Sequence, residues 1–134
     1  MRSITPDLIW LLYSVILAFL LELAASAVRV QIWTPAGFML ALGNRENLPA
    51  ASPLAGRADR AARNMMVSLL LFSAVLLAAH AAGKTGDRIT LGAELFFFAR
   101  LAYAPLYWLG IAYLRTAAWT AGIVGIGIIA SAMF

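Results

Sequence analysis

From Leu8 to Ala27 the chain carries a single charged side chain, Glu22, in an otherwise largely apolar run. A bilayer's hydrocarbon core is about 30 Å thick and accepts roughly 20 helical residues, so a run of this kind decides the solvent in which the chain folds. Three further runs follow, beginning near Ala58, Thr90 and Ala117. They are long and lack the period-two alternation of barrel strands. The pattern predicts an all-α integral membrane protein: a single domain over 1–134 forming a four-transmembrane-helix bundle, with helices over about 7–30, 58–82, 90–112 and 117–134. Composition agrees. Of 134 residues 63% are hydrophobic and only 12% charged, and a chain this short cannot enclose so much apolar surface within itself. A cleaved signal peptide competes for the first run, but the run is longer than a usual signal core of about 7–15 residues. Glu22 fits such a core poorly, which favours a retained helix.

Pro6 falls near the first turn of the first helix, where a missing N–H costs little. Residues 31–57, with prolines at 35, 49 and 53 and glycines at 37, 43 and 56, read as one long loop. The connection over 83–89 is short, and the one near Tyr113–Thr116 is tight. Basic residues near helix ends set orientation. Arg29, Arg45, Arg57, Arg60, Arg63 and Arg115 fall on one side, against Arg2, Lys84 and Arg88 on the other. The first side is expected to be cytoplasmic, with both termini non-cytoplasmic.

Cysteine is absent, and the one histidine, His80, makes no metal cluster, so no metal site is expected. No Walker loop, dinucleotide glycine pattern or Ser–His–Asp set appears, and the basic residues belong to membrane helices, so no nucleic-acid partner is expected. Nine of the ten basic residues are arginine, the side chain suited to bidentate capture of carboxylate or phosphate. Arg57, Arg60 and Asn64 follow an i, i+3, i+7 spacing and share a helix face, with Arg63 bordering it. An anion site and a snorkelling, lipid-facing helix end are equal readings of that face. Arg100 falls near the middle of the third helix and is expected to face the bundle interior, because a central arginine costs about 2.5–3.5 kcal/mol on insertion scales. Tyr103 and Tyr107 continue its stripe, although tyrosine is also common in interfacial belts. Glu22 is expected to be buried at membrane depth, with Arg100 as an ion-pair partner. His80 and Glu94 are expected near the interface. Pro105 is expected to kink the third helix. Gly122 and Gly125 are expected to allow close helix approach.

Two stretches resemble the MAPEG family, the membrane-associated proteins of eicosanoid and glutathione metabolism. Residues 56–64, with Arg57, Arg60, Ala61 and Asn64, look like the family pattern ERxxRAxxNxxE; Arg100, Tyr103, Pro105 and Tyr107, followed by Arg115 and Thr116, look like its second stretch. The resemblance is nearest to the bacterial branch, which implies a bacterial inner membrane. It implies a homotrimer binding glutathione between subunits as co-substrate, with membrane lipid and a small lipophilic substrate as the other partners. Carried over by position, Arg29, Arg60, Arg63, Asn64, Tyr103, Tyr107 and Thr116 are implied to bind glutathione, and Arg115 to act catalytically by stabilising its thiolate. Two positions depart from the pattern: its leading glutamate is Gly56 here, and its closing glutamate is Val67. The activity implied is a glutathione-dependent transferase or peroxidase acting on lipophilic electrophiles. Two other readings stand beside it, a small four-helix transporter using Glu22 and a non-catalytic membrane binding module.

Overall fold

The computed structural model describes residues 4–134, and these are helical throughout apart from turns and short connections. Four helices are long and apolar enough to cross a membrane. They are α1 (Pro6–Val30), α3 (Pro53–Ala81), α4 (Asp87–Trp108) and α5 (Ala112–Ser131), and a short α2 (Pro35–Leu42) lies between the first two. Three of the five begin on proline at the first helical position, which has the required φ and lacks an N–H that would have gone unpaired. Ser52 caps α3 by accepting from the Ala55 N–H at 3.1 Å, so this helix starts five residues before the apolar run that announces it. Its 29 residues, at a rise of about 1.5 Å each, are longer than a 30 Å hydrocarbon core needs. The surplus is the polar first part, from Arg57 to Asn64.

The third connection is also shifted from its sequence-predicted place. Gly110, at φ +77°, turns the chain between α4 and α5, so Arg115 and Thr116 lie within the first turns of α5 rather than in a loop. The expected single long loop over 31–57 contains the short helix α2 and the start of α3. Thr34 caps α2 by accepting from Gly37 N–H at 3.0 Å.

α3 and α4 form the centre of the bundle. α1 packs against both on one side and α5 packs against both on the other, and among the described residues α1 and α5 do not touch. Phe72 and Phe96 stack at 4.0 Å between α3 and α4, near parallel at 10°. Around them the buried residues are small, including Ala58, Ala62 and Ala79 from α3 and Ala93 from α4. With no water to expel between helices in lipid, close van der Waals contact between small residues is what holds them. The tightest contact is between α4 and α5. A Cβ on Gly92 would stand 2.6 Å from the Gly125 carbonyl oxygen, and one on Gly125 would stand 2.6 Å from that of Gly92. The expected close approach through Gly125 is therefore met by a glycine on the facing helix.

The two ends of the bundle are tied differently. At one end Arg57 donates Nε–H to the Trp108 carbonyl at 2.8 Å. This satisfies an acceptor at the C-terminus of α4, where carbonyls lack helical partners. At the other end, His80 closes α3 beside the start of α1. Its Nδ1 stands 3.0 Å from Asp7 Oδ2, a short contact without hydrogen-bond alignment, and its Nε2 is 3.3 Å from Thr5 Oγ1. Asp7 is fully buried, so His80, at the end of its helix, also links α3 to the start of α1.

A candidate anion cleft at the arginine-rich end

Three helices converge at the Arg57 end. On α3, Arg57, Arg60 and Asn64 all turn towards α4, as their spacing predicts: Arg60 donates Nε–H to the Tyr107 hydroxyl at 3.2 Å, and Asn64 Oδ1 accepts from Arg100 Nη1 at 2.8 Å. On α4, Tyr103 and Tyr107 lie one turn apart with ring centroids 5.5 Å from each other. From α5 the Arg115 guanidinium carbon lies over the Tyr107 ring, 4.5 Å from its centroid. That distance is within the range of a cation–π attraction, and it holds the Arg115 charge beside the tyrosine pair. Between these helices lies a cleft of about 250 Å³ lined by Asn64, Tyr103, Arg115, Thr116 and Trp119. Thr116 Oγ1 bonds back to the Ala112 carbonyl at 3.1 Å.

Arg100 lies behind Asn64 and Tyr103, two of the residues that line the cleft, and does not itself open into it. It is 1% exposed, and its guanidinium lies 5.4 Å from the centroid of Tyr103 and 5.5 Å from that of Phe96. One of its nitrogens meets Asn64; the other two, Nε and Nη2, donate to no protein group. Gly122 makes the room they need, since a Cβ there would fall 3.1 Å from Nε. Sequence reasoning places Arg100 inside the bundle correctly but pairs it with the wrong residue. Glu22 is exposed on the outer surface of α1, beside Met66 and Leu69 of α3 in an apolar groove. α1 meets α4 on the far side of the bundle from the cleft. The acceptor that Arg100 finds is a neutral amide.

Arg60, Asn64, Tyr103, Tyr107, Arg115 and Thr116 are thus brought together, and Arg63 and Arg29 are not. Arg63 turns away and forms an exposed ion pair with Asp59, one helical turn earlier, at 2.9 Å. Arg29 ends α1, with a buried Nη1 that meets no acceptor. Val67, at the position of the pattern's closing glutamate, is exposed and uncharged. Trp119 is the cleft residue that sequence reasoning misses. Its spacing, three residues after Thr116 and four after Arg115, puts it on their helix face.

A four-helix membrane bundle with a positively charged, tyrosine-lined cleft between three of its helices is the class of molecule this fold defines. The MAPEG family model matches residues 7–134, nearly the whole chain. The chain belongs to the MAPEG family. A search of curated proteins gives no match.

Proposed function

We propose that the protein is a membrane-bound glutathione-dependent transferase or peroxidase acting on lipophilic electrophiles, assembled as a homotrimer with its arginine-rich side in the cytoplasm. One observation carries this reading. Arg60, Arg100 and Arg115, from three different helices, gather around Tyr103 and Tyr107, and Arg100 keeps two buried N–H donors that no protein acceptor takes. The charge of Arg100, buried behind Asn64 and Tyr103, and that of Arg115 in the lining both favour an anion in the cleft, since attraction between charges strengthens where water is excluded. The cleft suits the carboxylates and thiolate of glutathione. Arginine bonds to carboxylate are charge-assisted and can be bidentate. Positive charge from Arg115 favours the thiolate over the thiol, and the thiolate is the nucleophile. In the transferase reaction its sulfur bonds the electrophilic carbon while the leaving group departs with the electron pair. In the peroxidase reaction two glutathiones are oxidised to the disulfide as the peroxide O–O bond is cleaved to alcohol and water. The lipophilic partner arrives from lipid through the open side of the cleft.

The cleft lining contains no carboxylate to receive an ammonium group, and this supports a second reading, a binding module that holds an anion without turnover. The transporter reading has less support, since Glu22 faces away from the cleft. Calorimetric titration of the purified protein with glutathione, paired with conjugation of a chlorodinitrobenzene-type electrophile, separates them. Binding with conjugation, or with glutathione-dependent reduction of a lipid hydroperoxide, supports the enzyme; binding with neither turnover supports the module; and the absence of binding and of both turnovers overturns the first reading.

A further inference from the structure

Helix α2 has no polar face. Gly37 alone is buried, pressed so closely on the end of α1 that a Cβ would collide with the carbonyls of Val30 and Gln31. The opposite face carries Pro35, Phe38, Met39 and Leu42, all exposed, and Trp33 precedes it. Met39 is 67% exposed, Leu42 69% and Trp33 66%. Among the helices α2 touches only α1. Its position is fixed by a built corner: Gln31 takes the left-handed conformation at φ 55°, Ile32 N–H donates to Ala27 O at 3.1 Å, and Thr34 Oγ1 donates to Gln31 O at 2.9 Å. This apolar patch is therefore held out by ordered backbone.

A contiguous patch of this kind on a helix needs an apolar neighbour. Eight residues at about 1.5 Å rise cannot cross a 30 Å core. They can lie in its boundary layer, where a helix lying in the interface plane buries an apolar face about 5–10 Å into the headgroup–acyl boundary; here the opposite side of α2 is closed by the end of α1. The surrounding sequence fits that neighbour. No charged residue occurs from Val30 to Asn44, and the stretch is bracketed by Arg29 and Arg45, the groups that anionic headgroups attract. Trp33 has the side chain enriched at the membrane interface. The patch also continues directly from α1, which already runs through lipid.

We infer that Ile32–Leu42 is an interfacial membrane anchor, with the Phe38, Met39 and Leu42 face embedded in the acyl-chain boundary of the leaflet on the arginine-rich side. The segment joining α1 to α3 is then part of the membrane-bound body, and it fixes the depth at which the polar start of α3 emerges.

The absence of cysteine makes the test direct. Phe38→Cys, Met39→Cys and, as an aqueous control, Asn47→Cys are each made in the full chain, spin-labelled, and placed in phosphatidylcholine–phosphatidylglycerol vesicles. Collision of the label with oxygen, which concentrates in acyl chains, is compared with collision with a water-soluble nickel chelate. The ratio of oxygen to nickel collisions is expected to be several-fold higher at positions 38 and 39 than at 47. A ratio equal to the control overturns the anchor. Protection from both reagents also overturns it and assigns the face to a protein neighbour. Leu42→Cys serves as a third position should a label at 38 or 39 prevent folding.

Discussion

Arg100 of α4 and Asn64 of α3 are joined at 2.8 Å inside the helix bundle, the guanidinium donating through Nη1 to the amide oxygen. The bond links two central helices and holds a buried charge against the back of the cleft. It is made without a carboxylate, so the positive charge stays uncompensated by any ion pair found among the described residues.

Replacing Asn64 with Leu removes the one protein acceptor that Arg100 has. Loss of a hydrogen bond to a buried charged group costs about 1.5–3 kcal/mol. The expected result is a lower melting temperature in detergent, read by circular dichroism, whereas Asn64→Asp, which keeps the acceptor and supplies the missing negative charge, should melt at or above the parent temperature. Equal melting of the Leu variant and the parent would show that the bond contributes little.

Arg115→Ala and Arg63→Ala should behave differently. Arg115 lines the cleft, while Arg63 is exposed and held by Asp59. If glutathione occupies the cleft, Arg115→Ala should weaken its calorimetric affinity by about tenfold to a hundredfold, the range for losing one charge-assisted bond. Arg63→Ala should leave it within about twofold, since an exposed ion pair contributes little.

Gly125→Val should be destabilising by about 1–3 kcal/mol, the range for forcing extra carbons into a filled interior, because its Cβ meets the Gly92 carbonyl. Gly127→Val, two residues away, meets nothing within 4 Å and should melt near the parent temperature. Thermal denaturation of the two variants side by side is the measurement.

His80→Leu leaves the buried Asp7 carboxylate without its nearest partner. An unanswered buried polar group costs about 1–3 kcal/mol or more when charged. The variant should unfold earlier, and Asp7→Asn in the same background should recover part of the loss by removing the charge.

The four crossings were legible because their signal is length and apolarity, which no tertiary context can hide. The face shared by Arg57, Arg60 and Asn64 was legible from helical spacing, and Arg100 was assigned to the interior by the cost of charge in lipid. What escaped depended on information that spacing does not hold. Glu22 and Arg100 are each ionisable and within helices, so pairing them is the natural expectation, but which side of the bundle α1 occupies is set by packing. The early start of α3 was concealed because Pro53 and Gly56 read as loop, although Pro53 begins the helix. α2 was hidden by prolines and glycines that read as punctuation, although Pro35 begins a helix and Gly37 allows a close contact. Asp7 and His80 are far apart in sequence, and only the antiparallel run of α1 and α3 makes them neighbours.

The side-chain-free seam between Gly92 and Gly125 has a consequence for how such a molecule can diversify. It locks two walls of the cleft to one another through backbone, so the spacing between them does not depend on the groups they display. Arg115, Thr116 and Trp119 can then be exchanged like fittings on a rigid frame, retuning what the cleft accepts while its dimensions stay constant.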